Sequence, residues 1–94
     1  MNAVLKKAVL SYNDIMDEGA LAIGETLKTN STLETLELAN CGIGAAGAKA
    51  IGAGLAAGIS VLSKLNLKHN SLGEDGRRAV QDAVKGRHGF DLDL

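Results

Sequence analysis

Apolar residues along this chain fall into two alternating rhythms. One stretch reads Leu33-x-x-Leu36-x-Leu38. Its last two leucines alternate with their neighbours, as in a short strand with one buried face. The next reads Gly47-x-x-Ala50-Ile51-x-x-x-Leu55. Its spacings of three, four and eight put those side chains on one helical stripe. Both rhythms recur. A shift of 28 residues carries Leu5, Leu10 and Asn13 onto Leu33, Leu38 and Cys41, and a further 29 carries these onto Leu62, Leu67 and Asn70. The same shifts align Ile15 with Ile43 and Leu72, Gly19 with Gly47 and Gly76, and Ala22 with Ala50 and Ala79. They also align Ile23 with Ile51 and Val80, Leu27 with Leu55 and Val84, and Ala8 with Leu36 and Leu65. Nine columns of matched chemistry over three copies define a repeat of strand, turn, helix and turn. Each helix returns the chain to the start of the next strand, so the strands are predicted to be parallel.

The predicted repeats cover 5–32, 33–61 and 62–89, within one domain spanning 1–94. At the C-terminus Phe90, Leu92 and Leu94 alternate with Asp91 and Asp93, which predicts a closing strand over 90–94. Two further columns have a physical reading. Asn13, Cys41 and Asn70 follow each strand by three positions and are placed to bond the turn that leaves it. The glycine column is expected to let the start of each helix approach the sheet closely.

The run Leu33-x-x-Leu36-x-Leu38-x-x-Cys41-x-Ile43, with the helix columns, resembles the leucine-rich repeat family. The match is to its ribonuclease-inhibitor-like subtype, with units of 28 or 29 residues. Thr29-Asn30-Ser31-Thr32-Leu33 is similar to the junction between such repeats in regulatory proteins. The resemblance implies an α/β fold: a short solenoid with a parallel inner sheet and outer helices, in three repeats plus a partial fourth strand. It covers nearly the whole chain and is specific for fold. Ala8 departs from the pattern by replacing a leucine, and neither end reads as a dedicated cap. Such a short array is expected to be a segment of a longer one, or to cover its ends by self-association.

Composition narrows the function. Ten basic and eleven acidic residues leave a net charge of -1, which points to no nucleic-acid partner. One Tyr, one Phe and no Trp exclude base-stacking platforms and aromatic cages as the main activity. A single cysteine forms no internal disulfide and fits a reducing, cytoplasmic setting. Met1 to Leu10 has no apolar run suited to a secretion signal, and the uncharged stretch 50–63 falls short of the ~20 residues that span a bilayer.

Several motifs compete with the repeat. Gly42-x-Gly44-x-x-Gly47 lies between strand and helix, as a dinucleotide fingerprint does. The acidic residue expected about 20 positions later is missing, since Lys64, Asn66 and Lys68 occupy that region. The repeat accounts for the glycines. Gly54-x-x-x-Gly58 matches a membrane helix-pairing motif on a segment too short to span, and reads as packing between repeat helices. Cys41 sits in the Asn/Cys column with no histidine close in sequence, so it reads as a structural thiol rather than a nucleophile. His69 and His88 have no metal-site spacing. Asn30-Ser31-Thr32 matches a glycosylation acceptor but reads as an inter-repeat turn. Arg77, Arg78, Lys85 and Arg87 read as a solvated basic face. No catalytic, cofactor or metal site is expected.

Function is expected on the concave sheet face, at the strand positions between the buried leucines. These are Lys7, Val9 and Ser11, then Thr35, Glu37 and Ala39, then Lys64, Asn66 and Lys68. Tyr12, Asn40 and His69 continue the rows into the turns, and Asp91 and Asp93 complete the sheet. The surface is polar and mixed in charge, with Glu37 expected beside Lys64 and Lys68, which suits protein recognition. Tyr12 is the hot-spot candidate by residue type. The expected function is a non-catalytic protein-interaction module, a segment of a larger regulatory array, with another protein as partner and neither nucleic acid nor membrane. Two alternatives stand beside it. The resemblance also reaches activators of the small GTPase Ran, which implies GTPase activation. A structural piece would instead stack through its open ends.

Overall fold

The computed structural model describes residues 5–57 and 59–94; residues 1–4 of the N-terminal reading and Gly58 of the Gly54–Gly58 spacing lie outside them. Among the described residues four short strands alternate with three helices: β1 Lys7–Val9, α1 Met16–Thr29, β2 Thr35–Glu37, α2 Ala45–Ala56, β3 Lys64–Asn66, α3 Gly73–Val84 and β4 Asp91–Asp93. The strands form one parallel sheet in the order β1-β2-β3-β4. Register follows the sequence columns. Lys7, Thr35, Lys64 and Asp91 form one row, Ala8, Leu36, Leu65 and Leu92 the next, and Val9, Glu37, Asn66 and Asp93 the third.

The middle row faces the helices. Leu36 and Leu65 are fully buried and share one apolar cluster with Leu27, Ile51, Leu55 and Val80 of the helices. Leu38 and Leu67 extend the cluster beyond each strand, and Ile43 and Leu72 plug the turns. Fully burying a leucine contributes about 2 kcal/mol, so the shared rows supply much of the cohesion between repeats. Phe90, Leu92 and Leu94 are partly buried against the same cluster. Ala8 sits at the first leucine position and is only half-buried, so the edge of the array is thinner there.

The helices approach one another through small residues. A Cβ on Gly24 would run into the backbone carbonyl of Ala50, and one on Gly52 would lie 2.9 Å from the carbonyl oxygen of Ala79. A Cβ on Gly47 would meet Ala20 Cβ at 2.8 Å and the Asp17 carboxylate at 2.7 Å. The repeating glycine column serves the approach of helix to helix at Gly47 and at Gly76, whose Cβ would lie 3.1 Å from that of Ala48, whereas a Cβ on Gly19 would meet Ile15 of its own repeat. The sequence reading assigned the column to the approach of helix to sheet, and the direction of the contact corrects that.

Asp17 also closes an accounting gap. The first turn of α2 carries no acidic residue, and its N-cap Gly44 has no side chain to cap with. Asp17 Oδ1, reaching across from α1, accepts from the backbone N–H groups of Gly44 (2.7 Å) and Gly47 (3.0 Å). A carboxylate on these orphan donors also opposes the positive end of the helix dipole.

Leu36→Asp or Leu65→Asp is expected to abolish folding, because an unpaired charge would sit in the shared core. Glu37→Lys, on the opposite face, should leave stability within about 0.5 kcal/mol. Gly24→Ala should cost about 2 kcal/mol from the clash with the Ala50 carbonyl. Urea denaturation followed by circular dichroism checks all three.

Candidate functional site

With one sheet face packed on the helices, the other two register rows stay open. Lys7, Val9 and Asp91 are exposed, and Thr35, Glu37, Lys64, Asn66 and Asp93 are half-buried along this face. Val9 is 59% exposed, an apolar side chain left in solvent at the sheet edge. Glu37 stands opposite Asn66 across the β2–β3 ladder, and its ion pair is with Lys7 at 3.9 Å. That ion pair points toward β1, while Lys64 stands on β3, on the other side of Glu37's strand.

Beyond the strand ends, three residues depart from the sheet pattern. Tyr12, Asn40 and His69 hold φ values of 66°, 55° and 62°, all in the left-handed region. They occupy one column, one per repeat, and all are exposed, Tyr12 at 75%. The geometry turns each chain out of its strand, and it costs a side-chain-bearing residue about 1–2 kcal/mol relative to the right-handed region. Asn tolerates this conformation best of the three. Positive φ at this column had no signal in composition or periodicity, because no glycine marks it.

Two predicted face residues are engaged elsewhere. Ala39 is only 7% exposed, so it presents no side-chain surface. Its backbone N–H donates to Ser11 Oγ at 2.9 Å, which occupies the Ser11 hydroxyl in the turn beside β1. Lys68 is exposed, and its N–H donates to Asn66 Oδ1 at 3.0 Å. The open surface is therefore the set Lys7, Val9, Tyr12, Thr35, Glu37, Asn40, Lys64, Asn66, Lys68, His69, Asp91 and Asp93.

The turns that present this surface are held by the Asn/Cys column. Asn70 Oδ1 accepts from the backbone N–H groups of Cys41 (2.9 Å) and Ile43 (3.0 Å) in the preceding repeat. Its Nδ2 donates to Leu38 O (2.8 Å), Leu67 O (2.9 Å) and Lys68 O (3.3 Å). One amide thus fastens two repeats. Cys41 does part of the same work: its buried thiol donates to Leu10 O at 3.2 Å. Among the described residues Asn13 bonds only its own turn, through Leu10 O and Ser11 O.

The competing motifs meet geometry of their own. The Gly44 and Gly47 amides that a phosphate would use already serve Asp17. Asn30 Oδ1 accepts from the N–H groups of Thr32 and Leu33, which closes the turn into the second repeat. Arg87 is no solvated cation. It is half-buried, with its guanidinium 6.0 Å from the Phe90 ring centroid. It donates to Leu55 O (2.7 Å) in the last turn of α2 and to Leu62 O (3.2 Å). A cation there satisfies an orphan carbonyl at the negative end of the helix. Asp17 and Arg87 stand in columns without matched chemistry, so comparing repeats hides both. Among the described residues no group of three or more His, Cys, Asp or Glu is placed to hold a metal, and no helix is long and apolar enough to cross a membrane.

The family model described as Leucine Rich repeat matches residues 2–24 and 29–52. The chain belongs to the leucine-rich repeat family. Curated relatives of this leucine-rich repeat chain include a ribonuclease inhibitor from Sus scrofa, 40% identical over 77% of the chain and 16% of the relative. A RAN GTPase-activating protein 2 from Arabidopsis thaliana is 40% identical over 83% of the chain and 14% of the relative. A ribonuclease inhibitor from Mus musculus is 37% identical over 85% and 18%. The chain spans less than a fifth of the length of these relatives.

Asn70→Ala should cost about 3 kcal/mol or more, because it strands buried backbone groups of two repeats; Asn13→Ala should cost about 1 kcal/mol or less. His69→Gly should raise stability by about 0.5–1 kcal/mol by releasing the left-handed backbone. Thermal denaturation of the three variants side by side measures these differences.

Proposed function

We propose that this leucine-rich repeat chain is a non-catalytic protein-binding segment of a larger regulatory array, acting in the cytoplasm and reading its partner through the open sheet face. One observation carries the proposal. Side chains of all four strands stand in register on a face that none of the described residues covers, with Val9 and Tyr12 exposed at one end of it. A rigid surface of mixed charge with an aromatic at its margin suits recognition by complementarity. The likeness to ribonuclease inhibitors, proteins whose name states an inhibitory role, supports the same class of function.

A second reading draws on the relative named as a RAN GTPase-activating protein. It assigns stimulation of GTP hydrolysis by a small GTPase. That activity would need a polar constellation on the loops after the strands, the loops on which Tyr12, Asn40 and His69 lie.

The test is capture of partners from lysate with this chain beside a Tyr12→Ala, Lys64→Glu, Lys68→Glu variant, both shown to be folded by circular dichroism. A partner held by the parent and lost by the variant is the expected result. Retention by both would move the site to the helices. Single-turnover GTP hydrolysis with a panel of small GTPases should show no acceleration, and acceleration sensitive to the same variant would favour the second reading.

A further inference from the structure

Each helix has two flanks, one toward the preceding repeat and one toward the next. The flank of α1 that meets α2 presents Ala20, Gly24 and Leu27. The flank of α2 that meets α3 presents the next members of the same columns, Ala48, Gly52 and Leu55. These seams tolerate nothing larger. A Cβ at Gly24 would enter the Ala50 carbonyl, and a Cβ on Gly76 would already lie 3.1 Å from that of Ala48. On α3 the corresponding residues are Arg77, Gln81 and Val84, and both Arg77 and Gln81 are exposed. Two long polar side chains thus stand where every earlier helix has alanine and glycine. A further helix at the same spacing would have to bury them.

The opposite flank of α1 differs. It keeps Gly19 and Ala22, the counterparts of Gly47 and Ala50 in α2 and of Gly76 and Ala79 in α3. Those later residues are the ones that enter the seams. Among the described residues nothing covers that flank of α1, and beside it lies a cavity of about 250 Å³ lined by Leu5, Ala8, Leu10, Ile23, Leu27 and Leu36. Leu5 is 47% exposed next to it.

We propose that the two ends of the array are unequal: the open flank of α1 receives the helix of a further strand–turn–helix repeat, whereas α3 closes the helix layer. The occupant is specified by continuity with the two seams already formed. It is a parallel helix with alanine and glycine at the positions of Ala48 and Gly52. This revises the sequence reading, in which neither end looked like a cap. It also opposes stacking of copies head to tail, because the α3 flank would have to accept α1 of the next copy. The inference concerns the ends and stands independently of the open sheet face.

The second repeat, residues 33–61, presents both kinds of flank and serves as the probe. Inserted between Val4 and Leu5, it should raise the melting temperature by about 5 °C or more. Inserted between Gly89 and Phe90, it should give no rise. Adding Arg77→Ala and Gln81→Gly to that second insertion should restore one. Ala22→Arg should leave the parent chain unchanged and remove the gain from the first insertion. Three results would overturn the proposal: no rise from the first insertion, an equal rise from the second without the seam changes, or a parent dimer in sedimentation that Ala22→Arg dissociates. The last would assign the flank to a second copy.

Discussion

Neighbouring strands in a sheet lie about 4.8 Å apart, whereas packed helices lie about 8–10 Å apart. A chain that places one strand and one helix in every repeat must reconcile these two pitches. Bending with the sheet on the inside is one response. Bringing the helices closer than usual is the other, and it is written into this chain as Gly24 against Ala50 and Gly52 against Ala79. A side chain at either glycine would force the helices apart and pull the leucine rows out of register. The rest of the molecule depends on that seam.

Once helices and strands are both in place, the backbone polar groups left at each turn need partners. Most come from the adjacent repeat. Asn70 serves Cys41, Ile43 and Leu38 of the repeat before it, and Asp17 caps the helix of the repeat after it. Arg87 returns to Leu55 of the preceding helix. Each repeat is thus completed by its neighbours, the physical reason that such units fold as arrays and not singly. Removing the Asn70 amide leaves backbone groups unpaired in two repeats at once.

The columns made the fold legible in advance. Leucine rows, helix stripes and the parallel order all follow from side chains that recur every 28 or 29 residues. Residues that occur once were not legible in the same way. Asp17 and Arg87 look like ordinary surface charges until the topology brings α2 beside them. The open face follows from alternation along each strand, but alternation ends where the strand ends. Ala39 was therefore carried on as a face residue, yet its short side chain is covered there, whereas the longer Lys68 of the same column reaches solvent. The direction of the Glu37 ion pair depends on side-chain reach between two flanking strands, which spacing alone does not encode.

Scaffold and surface meet at the column of Tyr12, Asn40 and His69. The turn demands a left-handed backbone there in all three repeats, and glycine would meet the demand with least strain. Bulky side chains are present instead at two of the three positions. They contribute little to the core, since all three are exposed. Their conformational cost is met by the neighbouring ladder: Tyr12 N–H donates to Ala39 O, and Asn40 N–H to Lys68 O, both at 2.9 Å. The same hydrogen bonds that hold the backbone in its strained form also fix where the side chains stand. A surface built this way is held in place before any partner arrives, and ordering it costs the complex little.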